Sequence, residues 1–170
     1  MTQVARAMAA HGGRNDTHRG AAPRGHSVEE RDSGTHHVSS SGPAPILLVD
    51  DDADVREAVA SALEEEGYDV VVAREGVEAL DALRSGWAPG LILLDLTMPR
   101  MTGVEFKRRL LAEMPAMSRI PVVVMSADVE GREKARLLGA TAFLRKPIRL
   151  GELFRHLSAH LQPRDVEPEA

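Results

Sequence analysis

The chain has 170 residues, 43% of them hydrophobic and 28% charged, with no cysteine and a formal net charge of -5. That length suits one ordinary domain with its own core, and the lack of cysteine excludes a disulfide framework and thiolate metal sites. The negative balance gives no general attraction to nucleic acid or anionic lipid, and no apolar run reaches the ~20 residues of a membrane span.

The opening "MTQVARAMAAHGG" has neither the apolar stretch nor the cleavage site of a secretory signal, so a cytoplasmic location is expected. Residues 1–43 hold Gly, Ser, His and charge but almost no large apolar side chain, too little to offset the entropy of ordering. They read as a disordered arm. Its histidines, His11, His18, His26, His36 and His37, follow no regular metal-ligand spacing and read as solvated side chains. A folded domain is expected over 44–162 and a short flexible tail over 163–170.

From Pro45 the pattern alternates between strand-length apolar runs and segments of helical period. "ILLVD" at 46–50 predicts the first strand. The segment 53–66 follows, with Val55, Ala58, Val59, Ala62 and Leu63 on one face of a helix. Asp54 and Glu57 resemble a capping box, Asp52 is placed to cap the helix, and Gly67 stops it. "YDVVVA" at 68–73 predicts strand two and 75–85 a second helix. "LILLD" at 91–95 predicts strand three, followed by the loop "LTMPRMTG" and a helix over about 104–112. "IPVVVMS" at 120–126 predicts strand four, followed by a short polar helix near 130–138. Gly139 reads as its left-handed stop. "TAFLRK" at 141–146 predicts strand five, and 149–161 a last helix whose stripe is Leu150, Leu153, Phe154, Leu157 and Leu161.

Five repeats of apolar strand and amphipathic helix predict an α/β fold: a doubly wound, five-stranded parallel sheet of order 2-1-3-4-5, flavodoxin-like, with helices on both faces. In that order strands one and three are neighbours where the winding reverses, and ligands bind beyond the carboxyl ends of strands at such a point. "LVDD" and "LLD" end those two strands. Asp50, Asp51 and Asp95 should therefore converge into an all-oxygen site of the type Mg²⁺ or Mn²⁺ takes. Like charges ~4 Å apart repel by roughly 4 kcal/mol at an effective dielectric near 20, so such a cluster needs a cation. Ser126 and Lys146 close strands four and five at the same rim. A lysine beside carboxylates and a metal suits phosphoryl oxygens, whose transfer needs positioning and charge neutralisation.

The set "LLVDDD", "LLDLTMPRMTG", "VVVMSA" and "AFLRKP", in this order and spacing, resembles the receiver domain of two-component response regulators over 46–161. The resemblance implies that Asp95 accepts a phosphoryl group from a sensor histidine kinase or a histidine phosphotransfer protein. It implies Asp51 as direct metal ligand, Asp50 as its water-linked neighbour and Thr97 as donor of a backbone carbonyl. Lys146 pairs with the phosphoryl group, the Lys146–Pro147 peptide is cis, Ser126 is the switch hydroxyl and Phe143 the aromatic that moves with it. Thr97 and Asp128 fall at positions that tune dephosphorylation. Ser126 stands where Thr is commoner and Phe143 where Tyr is frequent, so a methyl and a phenolic hydroxyl are missing from the switch pair.

A phosphoacceptor rather than a turnover enzyme is implied, able to take phosphate from small donors and to lose it again. Its output face would be the fourth helix, fifth strand and fifth helix, binding a downstream protein target. Only "QPRDVEPEA" follows the last helix, so the expectation is a stand-alone receiver with no DNA-binding domain and no membrane contact, a monomer or a phosphorylation-dependent dimer. "KRR" at 107–109 reads as a solvated helix face, His156 and His160 as a surface pair, and Trp87 lies before strand three, away from Asp95.

Three alternatives compete with this reading. A haloacid dehalogenase-like phosphohydrolase resembles "DxD" at its nucleophile, whereas Leu96 and Thr97 follow Asp95. A flavodoxin-like cofactor carrier wants a phosphate loop after strand one, where "DDDADV" repels phosphate. A phosphorylation-independent docking receiver would not need the intact acid, Ser and Lys set.

Overall fold

Alternate residues of a strand face opposite sides of its sheet, so a strand apolar throughout needs cover on both. In the computed structural model, which describes residues 44–161, that cover is supplied by helices. The strands are β1 (Ile46–Val49), β2 (Val70–Ala73), β3 (Leu91–Asp95), β4 (Val122–Ser126) and β5 (Ala142–Arg145). The helices are α1 (Ala53–Glu65), α2 (Gly76–Arg84), α3 (Gly103–Glu113), α4 (Gly131–Leu137) and α5 (Leu150–His160). All strand pairings are parallel and the order is β2-β1-β3-β4-β5, the α/β flavodoxin-like arrangement expected.

Leu47, Val49, Ile92, Leu94, Val122 and Val124 face α2, α3 and α4 through Leu80, Leu83, Phe106, Leu110 and Ala135. Ile46, Leu48, Leu91, Leu93, Val123 and Met125 face α1 and α5 through Val59, Leu63, Leu153 and Leu157. Each fully buried Leu, Ile or Val contributes roughly 1.5–3 kcal/mol of transfer free energy. The two layers together fix β1 and β3 side by side, in register from Ile46 with Leu91 to Val49 with Leu94.

Local chemistry sets the ends. Asp52 caps α1, its side chain accepting from the N–H groups of Asp54 and Val55, so the Asp54 and Glu57 spacing does not form the cap. Gly67, at φ +84°, closes the other end: the Tyr68 N–H donates to the Leu63 carbonyl and the Gly67 N–H to that of Glu64. With its N–H so engaged, Tyr68 does not join β2, which starts two residues later than expected. β4 likewise starts at Val122. Ile120 closes an unanticipated 3-10 turn, Pro115–Arg119, and Pro121 has no N–H to give.

The reading of "KRR" as a solvated face is corrected at its first residue. Lys107 is buried while Arg108 and Arg109 are exposed, because on a 3.6-residue period it lies beside Gly103 and Leu110 on the covered stripe. Burial lowers its pKa below the ordinary lysine value. Among the described residues, no helix is long and apolar enough to cross a membrane. The arm expected over 1–43, with its five histidines, and the tail over 163–170 lie outside the described residues.

Candidate functional site

Because β1 and β3 are neighbours and end together, their terminal aspartates share one rim. Asp50, Asp51 and Asp95 each present a carboxylate oxygen within 4.8 Å of the others. Asp50 is fully buried and Asp95 nearly so, at 3% exposure, while Asp51 is exposed. Lys146, just past β5, reaches across: its Nζ lies 2.8 Å from Asp50 Oδ2 and 3.5 Å from Asp95 Oδ1. The Asp50 contact is an ion pair outside aligned hydrogen-bond geometry, since Oδ2 has no hydrogen-bond partner. The Lys146–Pro147 peptide is cis.

Each anchor of this rim is traceable. The Asp52 N–H donates to Asp50 Oδ1 at 3.0 Å, and Arg56, one turn into α1, donates from its guanidinium to the Asp50 carbonyl at 2.8 Å. Gly103 stands at the start of α3, where an added Cβ would come 2.3 Å from the Asp95 carbonyl oxygen. The loop between β3 and α3 is tied back by Arg100, at φ +63°, whose Nε lies 2.7 Å from Glu75 Oε2. Arg56, Glu75 and Arg100 were not among the residues singled out from sequence. Nothing in their spacing marks a carbonyl acceptor or a loop-to-loop ion pair.

Burial is the largest influence on Asp95, pushing its pKa up to about 6; Lys146 opposes this, and Asp50 adds to it. For Lys146, burial works against the charge but Asp50 and Asp95 outweigh it, leaving its pKa above the ordinary value. Two carboxylates therefore share one ammonium, with Asp51 adding a third negative charge. Hard divalent cations take such all-oxygen sets, and three carboxylates facing a single ammonium leave negative charge that a divalent cation would neutralise. The residues fit Mg²⁺ or Mn²⁺.

Ser126 ends β4, fully buried, one residue past Met125, the register partner of Asp95. Its hydroxyl accepts from the Asp128 N–H at 3.1 Å, and its carbonyl accepts from the Lys146 N–H at 3.0 Å. Phe143 is half-buried on β5 with the Arg132 guanidinium 5.0 Å from its ring centroid. An added Cβ on Gly131 would lie 3.0 Å from Phe143 and 3.1 Å from Ser126, so that glycine is what lets serine and ring approach. Thr97 is exposed, and its backbone N–H helps to lower the Asp95 pKa. Asp128 is held by Lys134, which lowers its pKa. The structure thus brings Asp50, Asp51, Asp95 and Lys146 into one cluster and sets Ser126, Phe143 and Asp128 along the adjoining rim. His156 and His160 stack on α5, their ring centroids 6.3 Å apart.

The model of the response regulator receiver domain matches residues 46–158. The chain belongs to that family. It is similar to the DNA-binding response regulator MtrA of Mycobacterium leprae, 37% identical over 125 residues, covering 72% of this chain and 53% of MtrA. Among solved structures it is similar to the chemotaxis protein CheY4 of Vibrio cholerae, with a TM-score of 0.63 and 30% identity over 71% of this chain and all of that one. It is equally similar to a response regulator receiver protein from Pseudomonas putida, with a TM-score of 0.63 and 32% identity over 69% of this chain and 98% of that one.

The receiver therefore spans about half the length of the curated relatives it matches. This corrects the expectation that no DNA-binding domain accompanies it. That expectation rested on the short, proline-interrupted stretch after α5, whereas the relative named as the DNA-binding response regulator MtrA matches this chain over only 53% of its own length. A few polar residues after a helix carry no information about the architecture that a receiver serves.

Proposed function

We propose that this receiver domain works as a phosphorylation switch, with Asp95 as the phosphoacceptor and a sensor histidine kinase or histidine phosphotransfer protein as donor. The single observation that carries the reading is the convergence of Asp50, Asp51 and Asp95 with Lys146 between two of them. A carboxylate oxygen of Asp95 attacks phosphorus. The new O–P bond forms as the donor's P–N bond breaks, and that electron pair returns to the donor imidazole. Asp50, Asp51 and Asp95 would hold Mg²⁺ or Mn²⁺, which when bound neutralises the charge on phosphoryl oxygens and carboxylates alike. Lys146 supplies the second positive charge from the β5 side, already placed 3.5 Å from the nucleophile.

Once phosphorylated, Asp95 offers the Ser126 hydroxyl a stronger acceptor than any it has at rest. Drawing Ser126 away from the Asp128 N–H vacates space next to Gly131, where Phe143 packs. The phosphoryl group thereby favours one of two arrangements of the α4, β5 and α5 face, the face offered to a downstream protein. Val129, Leu137 and Leu150 are exposed around it, at 84%, 72% and 45%, which supports a protein-binding role there. Thr97 and Asp128, at the mouth of the site, set how water reaches the aspartyl phosphate. The phosphohydrolase and cofactor-carrier alternatives have no observation in their favour.

The test is incubation with acetyl phosphate, with Mg²⁺ or with a chelator, followed by intact-mass measurement. One added phosphoryl group with Mg²⁺ and none with chelator is expected; no addition in either arm overturns the reading.

A further inference from the structure

At the rim opposite Asp95, around the start of β2, lies an open groove of about 600 Å³ whose walls include Pro45, Glu64, Tyr68, Asp69 and Trp87. It joins two half-buried aromatic side chains to two exposed carboxylates. Glu65 and Glu66 add to its charge, for α1 ends in Glu64 and Glu65 and is capped by Glu66, with no basic residue in its last turn. Carboxylates there meet the negative end of the helix macrodipole, an arrangement that calls for a cation. Among the described residues, none of Glu64, Glu65, Glu66 and Asp69 has an ion-pair partner. An acid-rimmed groove with an indole in its wall matches a guanidinium, which pairs with carboxylates through its fork and lies favourably over an aromatic face.

The occupant with the right chemistry enters at the same place. The chain joins the fold at Ala44 and Pro45, and Pro45 is itself part of the wall. Gly90 makes the close entry feasible, since an added Cβ there would come 2.3 Å from Ala44 Cβ, and its N–H donates to the Pro45 carbonyl at 2.8 Å. Upstream, residues 1–28 carry Arg6, Arg14, Arg19 and Arg24 against a single acid, Asp16. Arg24 is close enough in sequence for any part of the groove to be within reach, because the intervening stretch spans up to ~70 Å when extended.

We propose that the arginines of residues 1–28 dock in cis on this groove, one guanidinium at a time, with Trp87, Glu64 and Asp69 as the receiving residues. Tethering replaces bulk affinity: an attached segment has an effective concentration on the order of millimolar, so even a millimolar contact is filled about half the time. The docked segment would lie on the rim away from the phosphoacceptor, leaving Asp95 and the α4, β5 and α5 face open. The inference does not depend on phosphorylation.

Trp87 is the sole tryptophan, so its emission reports on the groove directly. Acrylamide quenching is measured on the full chain at low ionic strength, with far-UV circular dichroism to show that each variant is folded. A roughly twofold rise in quenching is expected for the Arg6→Gln, Arg14→Gln, Arg19→Gln, Arg24→Gln variant, following the half-occupancy that tethering gives. Glu64→Gln with Asp69→Asn should produce the same rise, and 0.5 M salt should produce it in the unaltered chain alone. Equal quenching in all proteins overturns the proposal. So does a response to the arginine changes but not to those at Glu64 and Asp69, which places the arm elsewhere, or a response that vanishes on dilution, which makes the occupant a second copy's arm.

Discussion

Lys146 Nζ stands 2.8 Å from Asp50 and 3.5 Å from Asp95, joining the ends of three strands that the chain makes far apart in sequence. This one ammonium is the fixed charge that lets two buried aspartates coexist. Its removal should therefore be felt in stability as well as in chemistry. Lys146→Met is expected to cost about 3 kcal/mol at pH 7.5, the cost of leaving a buried carboxylate unpaired. Adding Asp50→Asn should recover most of that loss, and urea unfolding of the two single variants and the double variant measures the coupling. Simple additivity would mean that the pair is not coupled.

The raised pKa of Asp95 has a definite sign. Its folded value, about 6, lies above the ordinary 3.8, so the folded chain binds the proton more tightly and the ionised carboxylate opposes folding above pH 6. In metal-free protein, Asp95→Asn should therefore raise stability at pH 7.5 by up to ~3 kcal/mol, since a tenfold change in proton affinity between unfolded and folded chain is worth ~1.4 kcal/mol. The gain should shrink as pH falls through 6 and vanish near 4, where folded and unfolded chains are both protonated. Urea titrations in chelator at several pH values test this, and a gain independent of pH would contradict it.

Gly103 and Gly67 are expected to differ in mechanism. A methyl at 103 meets the Asp95 carbonyl oxygen at 2.3 Å and the Leu96 Cα at 3.0 Å, both backbone atoms that cannot swing aside. Gly103→Ala should cost about 3 kcal/mol and displace Asp95, lowering the proposed phosphorylation as well as the melting temperature. At Gly67 nothing lies within 4 Å, and only the left-handed φ of +84° is at stake, so Gly67→Ala should cost about 1 kcal/mol and leave phosphorylation unchanged.

Much of the site could be read before any coordinates because its parts sit at strand ends. "LVDD" and "LLD" put acids where two apolar runs stop, and the handedness of βαβ crossovers leaves few ways to arrange five such strands. Convergence of Asp50, Asp51 and Asp95 follows from that order alone. What escaped depends on backbone partners or on a helix's exact rotation. Arg56 serves a carbonyl, which no residue spacing encodes. Glu75 and Arg100 meet across two loops. Lys107 is buried because it shares a stripe with Gly103, Phe106 and Leu110, and a charged residue type hides that position from a reading by polarity. The Asp52 cap of α1 was legible from its place before the helix, whereas the Asp54 and Glu57 spacing misled, since caps depend on where the first helical turn begins.

The proposal that Asp95 is the phosphoacceptor is tested most directly by intact mass after acetyl phosphate and Mg²⁺, comparing the unaltered chain with Asp95→Asn. Phosphorylation of the former and none of the latter, with both folded, is predicted. Equal phosphoryl incorporation by the asparagine variant would contradict it.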